Sequence, residues 1–325
     1  MRTLYKVDMA RIHKLVHAWG STTIGTTRTS LSQQSIKPLG DVVNWALYFD
    51  VTTVDGDATD DSDGGTPSGS WIGTNILRLL DTVRIKDNQN TDVWESTGVE
   101  FYYKSYLLSI IESDELLMNK GGIRRPHTDS ADLTASETVF IVPQRIAFKD
   151  LPCTVDIKLG VLDDYWNAVG TGTVTVNQLE LWVRYIPSAE ESFTERVKSF
   201  NISSFSSDQD IAEHLPSSLE ILKLAFLLGD PTASSAPATM VDTRLDFLTF
   251  KRGSSDEIDG VRNRVLQEYA GRLYPNLRID GTTVLEGEPT GLFIVPTLAF
   301  VKTDATEFKF DINAAIAPHV IYVYK

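Results

Sequence analysis

The phrase Phe-Ile-Val-Pro occurs twice in this chain, at Phe140 to Pro143 and at Phe293 to Pro296, almost half of its 325 residues apart. Each copy runs on into Ala-Phe, as FIVPQRIAF and FIVPTLAF. Four letters mean little alone, but their neighbours repeat in the same order. LLDTVRIKD (Leu79 to Asp87) matches RLDFLTFKR (Arg244 to Arg252): Leu80-Asp81 aligns with Leu245-Asp246, Val83 with Leu248, Ile85 with Phe250 and Lys86 with Lys251. Before these stand the apolar runs VVNWALYFDVTTV and SLEILKLAFLLGD. After each FIVP come two more runs of strand character, TVDIKLGVL and VTVNQLELWVRYI in the first half, TEFKFDINAAI and PHVIYVYK in the second. One order, strand, loop, strand, helix, loop, FIVP strand, strand, strand, is thus played twice. The proline marks a strand end or sheet edge, because it cannot donate to a central ladder, and the Ala-Phe beyond it is expected to re-enter the core.

Four helices are expected around these strands. Residues 1–19 carry Tyr5, Met9, Ile12, Val16 and Trp19 at helical spacing, with Arg2, Lys6, Arg11 and Lys14 against Asp8. Such a basic amphipathic segment suits a membrane surface or a partner's groove, or else packs on its own domain. DVWESTGVEFYYKSYLLSIIESDELLM reads as a helix with Asp92 and Glu95 as its capping box, though Gly98 weakens it. SSDEIDGVRNRVLQEYAGRLYP has Ser254 and Glu257 in the same relation, and SAEESFTERVKSF, with Ser188 and Glu191, reads as a connecting helix. The expected organisation is an arm at 1–22, a β domain at 23–187, a joint at 188–205 and a second β domain at 206–325.

A net charge of −14 argues against a general nucleic-acid binder, since phosphate contacts need clustered cations. Cys153 is the only cysteine, so no intrachain disulfide and no cysteine zinc site can form; a buried, inert thiol is expected. No apolar run reaches membrane-spanning length, and charges interrupt any signal-like stretch at the N-terminus. Folding in a reducing cytoplasm without secretion is the expectation.

Catalytic patterns are missing. His13, His17, His127, His214 and His319 form no HxH or HExxH, and no Walker loop, GxGxxG or GxSxG occurs. His13 and His17 share a face if helical, without a third ligand. Asp163-Asp164 reads as a turn rather than as a glycosidase pair. DGDATDDSDGG places Asp55, Asp57, Asp60, Asp61 and Asp63 together, a candidate calcium loop that lacks the EF-hand glutamate and reads better as a solvated outer loop. No other cofactor is implied.

Two similar β domains in tandem, a helix at the same place in each, a basic N-terminal arm, acidic loops and no disulfide resemble the double jelly-roll major capsid proteins. These build adenovirus hexons and the shells of tailless, internal-membrane phages; the chain length suggests the corticovirus or finnlakevirus type. The resemblance covers the whole chain and rests on architecture, not on a catalytic motif. It implies an all-β fold of two tandem eight-stranded antiparallel jelly-roll barrels, each with an inserted helix, plus the N-terminal amphipathic helix. It implies a homotrimer tiling an icosahedral shell over a membrane, assembled in the host cytoplasm, with lipids and minor capsid, penton or spike proteins as partners. Arg2, Tyr5, Lys6, Met9, Arg11, Ile12, Lys14, Val16 and Trp19 would face membrane or partner. A two-domain carbohydrate-binding adhesin is the alternative; it calls for export and exposed aromatics. A bicupin enzyme calls for histidine clusters the chain lacks.

Overall fold

The computed structural model describes residues 12–54, 69–71, 79–109, 135–162, 166–168, 173–187, 193–202, 209–210, 214–227, 245–252, 255–262, 265, 292–295, 299–303, 306–312 and 317–325. The first half contains β1 (Ile12–Trp19), β2 (Thr22–Ile24), β3 (Thr29–Ser30), β4 (Gln34–Ile36), β5 (Asp41–Val54), β6 (Gly69–Trp71), β7 (Leu80–Lys86), β8 (Asp92–Ser96), helix α1 (Gly98–Ser109), β9 (Ala135–Val142), β10 (Cys153–Leu159), β11 (Trp166–Ala168) and β12 (Thr173–Ile186). The second half contains β13 (Arg196–Asn201), β14 (Gln209–Asp210), β15 (Glu220–Leu227), β16 (Leu245–Arg252), β17 (Ser255–Arg262), β18 (Leu292–Ile294), β19 (Phe300–Val301), β20 (Thr306–Ile312) and β21 (His319–Tyr324).

The duplication read in the sequence is a duplication of strand pairing. One sheet runs β1-β12-β5-β9 and another β14-β20-β16-β17. The largest sheet runs β3-β10-β7-β8-β13-β21-β15-β18, with β4 beside β10 and β19 beside β15. Its β3-to-β8 part repeats the order of β14-to-β17, and its β13-to-β18 part repeats the order of β1-to-β9. The two FIVP strands take the same slot. Phe140 of β9 pairs with Leu47 of β5, and Phe293 of β18 pairs with Phe226 of β15; all four side chains are buried. Each FIVP strand ends before its proline and lies at the end of its sheet's strand order. Beyond the first, Ile146 and Ala147 return to the core while Phe148 stays exposed; beyond the second, Phe300 is buried.

Two apolar cores follow. One gathers Trp45, Leu47, Phe49, Val83, Ile85, Trp94, Phe101, Phe140, Leu179 and Leu181 from the first half, and the other Leu224, Phe226, Leu248, Phe250, Phe293, Phe308 and Phe310 from the second. In the first, Trp45, Trp94, Phe101 and Phe140 meet edge to face at centroid separations of 5.3–5.9 Å, an arrangement that suits the quadrupoles of aromatic rings. Cys153 is buried, and burial first of all, with Asp87 and Asp150 nearby, pushes its thiol up to about 12.

Two expected helices are strands where they are described, and a third, expected at 254–275, is strand over Ser255–Arg262 and helical at Val265. Residues 12–19 pair with β12, from Ile12 opposite Tyr185 to Trp19 opposite Leu179. A bulge between Leu15 and His17 adds one residue, so Ile12 and Trp19, an odd number of positions apart, share a face. That extra residue is what imitates a helical period. Residues 1–11 lie outside the described residues. Ser255–Arg262 pairs with β16, and Arg196–Asn201 pairs with β21. The fourth correction concerns α1, which starts at Gly98 rather than at Asp92. Asp92 and Glu95 lie on β8, where the Arg84 guanidinium holds Asp92 through two hydrogen bonds of 2.7 and 2.9 Å. The box sits five residues later: Glu100 Oε2 accepts from the backbone N–H of Thr97 at 3.0 Å.

Candidate functional site

The second half joins the first through β13. Val197 of β13 stands parallel and opposite Trp94 of β8, where two antiparallel half-sheets become one. Buried polar side chains fasten this seam. Gln144, the residue after the first FIVP, is fully buried; its Oε1 accepts from Trp45 Nε1 at 2.9 Å, and its Nε2 donates to the carbonyls of Val93 (3.0 Å) and Glu195 (2.8 Å). Beside it, the Glu195 N–H donates to the carbonyl of Arg145, the Arg145 N–H donates to Glu195 Oε2, and Thr194 Oγ1 accepts from the N–H of Ala147. The Arg196 guanidinium reaches Asp87 Oδ2 at 2.5 Å and the carbonyl of Asp92 at 3.2 Å. Burial is the largest single influence and would raise the Asp87 carboxyl, but the hydrogen bond and charge of Arg196 together with the backbone N–H groups of Thr91 and Gln89 outweigh it and hold the group below its usual range.

A second polar cluster ties α1 to the second half. Glu100 Oε1 lies 2.6 Å from His319 Nε2 on β21 and accepts from Ser199 Oγ on β13 at 3.4 Å. Lys104 Nζ reaches Glu100 Oε2 at 3.3 Å and the carbonyl of Glu95 at 2.5 Å, and His319 Nδ1 meets Asn201 Oδ1. Burial works to raise Glu100, yet the contact with His319 and the charge of Lys104 prevail and hold its carboxyl far below the usual carboxylate range. Burial depresses Lys104 against the pull of Glu100. Removing any one of these charges leaves another buried without compensation. The arrangement links α1 to β13 and β21 through buried polar and charged groups.

The expected site residues fall elsewhere. Ile12, Lys14, Val16 and Trp19 lie on β1, a strand at the end of its sheet, with Ile12 and Lys14 exposed and Trp19 buried and donating from Nε1 to the carbonyl of Ser32 at 3.0 Å. Arg2, Tyr5, Lys6, Met9 and Arg11, the calcium-loop residues Asp55, Asp57, Asp60, Asp61 and Asp63, and the Asp163-Asp164 pair lie outside the described residues. Among the described residues no group of three or more His, Cys, Asp or Glu is placed to hold a metal ion. The seam residues escaped sequence reading. The one available signal was the difference inside the echo, Gln144 in the first copy where the second has Thr297.

No family model and no curated protein matches this sequence. Solved structures do. A chain in the atomic structure of Sulfolobus Turreted Icosahedral Virus matches over 97% of this chain and 90% of its own length, at TM-score 0.62 and 10% identity. The crystal structure of the STIV MCP matches over 97% and 96%, at TM-score 0.60 and 10% identity. The chain has the double jelly-roll fold. A quasi-atomic model of the PBCV-1 virus capsid contains a chain that this double jelly roll matches over 100% of itself and 95% of that chain, at TM-score 0.57 and 12% identity. At such identities the likeness is one of fold. It spans both halves of the chain together.

Proposed function

We propose that this double jelly roll is a viral major capsid protein whose homotrimers tile an icosahedral shell over a membrane. The observation that carries the reading is the whole-chain match, both barrels in one arrangement, to chains of a turreted icosahedral virus and of a virus capsid. Two barrels per chain give six similar barrels per trimer, a pseudo-hexagonal tile whose interfaces cover sheet edges otherwise open to uncontrolled pairing. The basic residues Arg2, Lys6 and Arg11 precede β1 and, with Tyr5 and Met9, form a short arm for anionic headgroups or a minor capsid protein. Assembly then takes place in the host cytoplasm, with penton and spike proteins added at the vertices.

Size-exclusion chromatography with light scattering tests the reading: a trimer is expected, and a stable monomer at all concentrations overturns it. For the arm, the full chain should float with anionic liposomes and the chain lacking residues 1–11 should not.

A further inference from the structure

Two sheets have an open edge: among the described residues β1 pairs only with β12, and β17 only with β16. The large sheet shows what such edges are for. Within one chain β8 joins β13 in parallel at Trp94 and Val197. β17 occupies in the second barrel the place β8 occupies in the first, and β1 occupies in the first the place of β13 in the second. Tracing the ladders puts Ile258 at the position of Trp94, because Ile258 pairs with Phe250 as Trp94 pairs with Ile85. It puts His13 at the position of Val197, through Arg184 and Val323.

The faces beside these edges tell the same story. On the second barrel the row Ile321, Ala225, Ile294 crosses β21, β15 and β18 with its side chains turned away from that barrel's own core. Exposure there is 0%, 0% and 3%, because the row is packed into the first barrel's core. The equivalent row on the first barrel is Trp182, Ala46, Ile141, extended onto β1 by Leu15. Here Trp182 is 39% and Leu15 38% exposed. One apolar row is covered by a barrel of its own chain, and its counterpart is open. The open edges also differ in charge: β17 carries Asp256, Glu257 and Asp259 against Arg262, while β1 carries Lys14 and two histidines and follows Arg11.

We propose that a second copy of this chain repeats the internal seam: β1 of one copy pairs in parallel with β17 of the next, His13 opposite Ile258, and Leu15, Trp182, Ala46 and Ile141 are buried against that copy's second barrel. The contact is head-to-tail, and with a rotation of one third of a turn per copy it closes into a three-membered ring; the proposal rests on the trimer reading and names the surface that builds it.

The full chain carrying His13→Cys and Ile258→Cys tests the edge. Cys153 is buried and stays silent. Oxidation should link the double variant into dimers and trimers on a non-reducing gel and leave each single variant unlinked. Trp182→Asp tests the face, and the concentration for half-dissociation of the trimer should rise about 30-fold or more. Dimers from His13→Cys alone, which mean a two-fold β1–β1 contact, overturn the proposal. So does a wild-type trimer whose double variant does not link and whose Trp182→Asp form stays as tightly associated. In that case the trimer reading survives, whereas a monomeric wild type overturns both.

Discussion

The β5–β12 sheet of the first barrel and the β15–β21 sheet of the second have the same strand order and face their own cores with equivalent residues, yet they differ in how they read. β12 alternates along its length, Val174, Val176, Leu179, Leu181, Val183 and Tyr185 buried and the residues between them not. β21 is buried at every position from His319 to Tyr324. The reason is the second face. β12 turns Glu180, Trp182 and Arg184 outward, while β21 turns Ile321 and Val323 into the neighbouring barrel. Hydrophobic alternation therefore reports how many faces of a strand are covered, and duplicated domains can differ in pattern while sharing a fold.

The strongest way to break the covered side is to remove Glu100. Glu100→Ala leaves the Lys104 ammonium buried without its carboxylate and frees His319 and Ser199, so a loss of about 4 kcal/mol in denaturant unfolding is expected. The same group sets an acid limit. Its carboxyl is depressed in the folded chain, so its contribution is complete above the ordinary value of 4.5 and is lost as pH falls below it. The wild type should lose stability steeply below that pH, and Glu100→Gln should flatten the profile; an unchanged profile would show that the cluster does not hold the seam.

Two smaller changes sharpen the comparison. Ile321→Ala opens a cavity between the barrels and should cost about 3 kcal/mol. Gln144→Leu keeps the volume but strands Trp45 Nε1 and the carbonyls of Val93 and Glu195, for about 2 kcal/mol. Both are measured by equilibrium unfolding. If Gln144→Leu proves neutral, the hydrogen bonds at the joint are incidental and apolar packing alone sets the barrel angle.

The duplication, the principal strands and the role of proline were legible because alternation and turn residues are local signals. Short strands such as β2 and β3, of three and two residues, are too brief to show a period. The helices expected at 1–19 and 188–200 failed where they are described, and that expected at 254–275 failed over Ser255–Arg262 but not at Val265, which is helical; the failures have one physical reason. β1, β13 and β17 take their structure from a partner strand, and a bulge in β1, a joint before β13 and the charges and Gly260 of β17 hide the two-residue period. The seam was invisible because Gln144, Glu195 and His319 become a set only in three dimensions. A polar residue in sequence carries no mark of the three buried groups it will satisfy.

The smallest effect on an isolated chain should come from Trp182, and it is the most informative. Trp182→Ala occupies the place of Ile321→Ala, on the same row of the equivalent sheet. Its ring is partly exposed and its Nε1 donates to Glu180 Oε2, a surface contact at 2.6 Å. Truncation then removes partial packing and one solvent-facing hydrogen bond, for under about 1 kcal/mol in the unassembled chain. In the assembled form the same substitution removes an anchor from a desolvated interface, where a large aromatic can be worth more than about 2 kcal/mol. Unfolding monitored at protein concentrations below and above the trimer's dissociation point separates the two. A small, concentration-independent loss would mean the open row stays in water and the resemblance between the two faces ends at the chain boundary. A loss that grows with concentration would mean the chain uses one packing solution twice, once within itself and once with its neighbour.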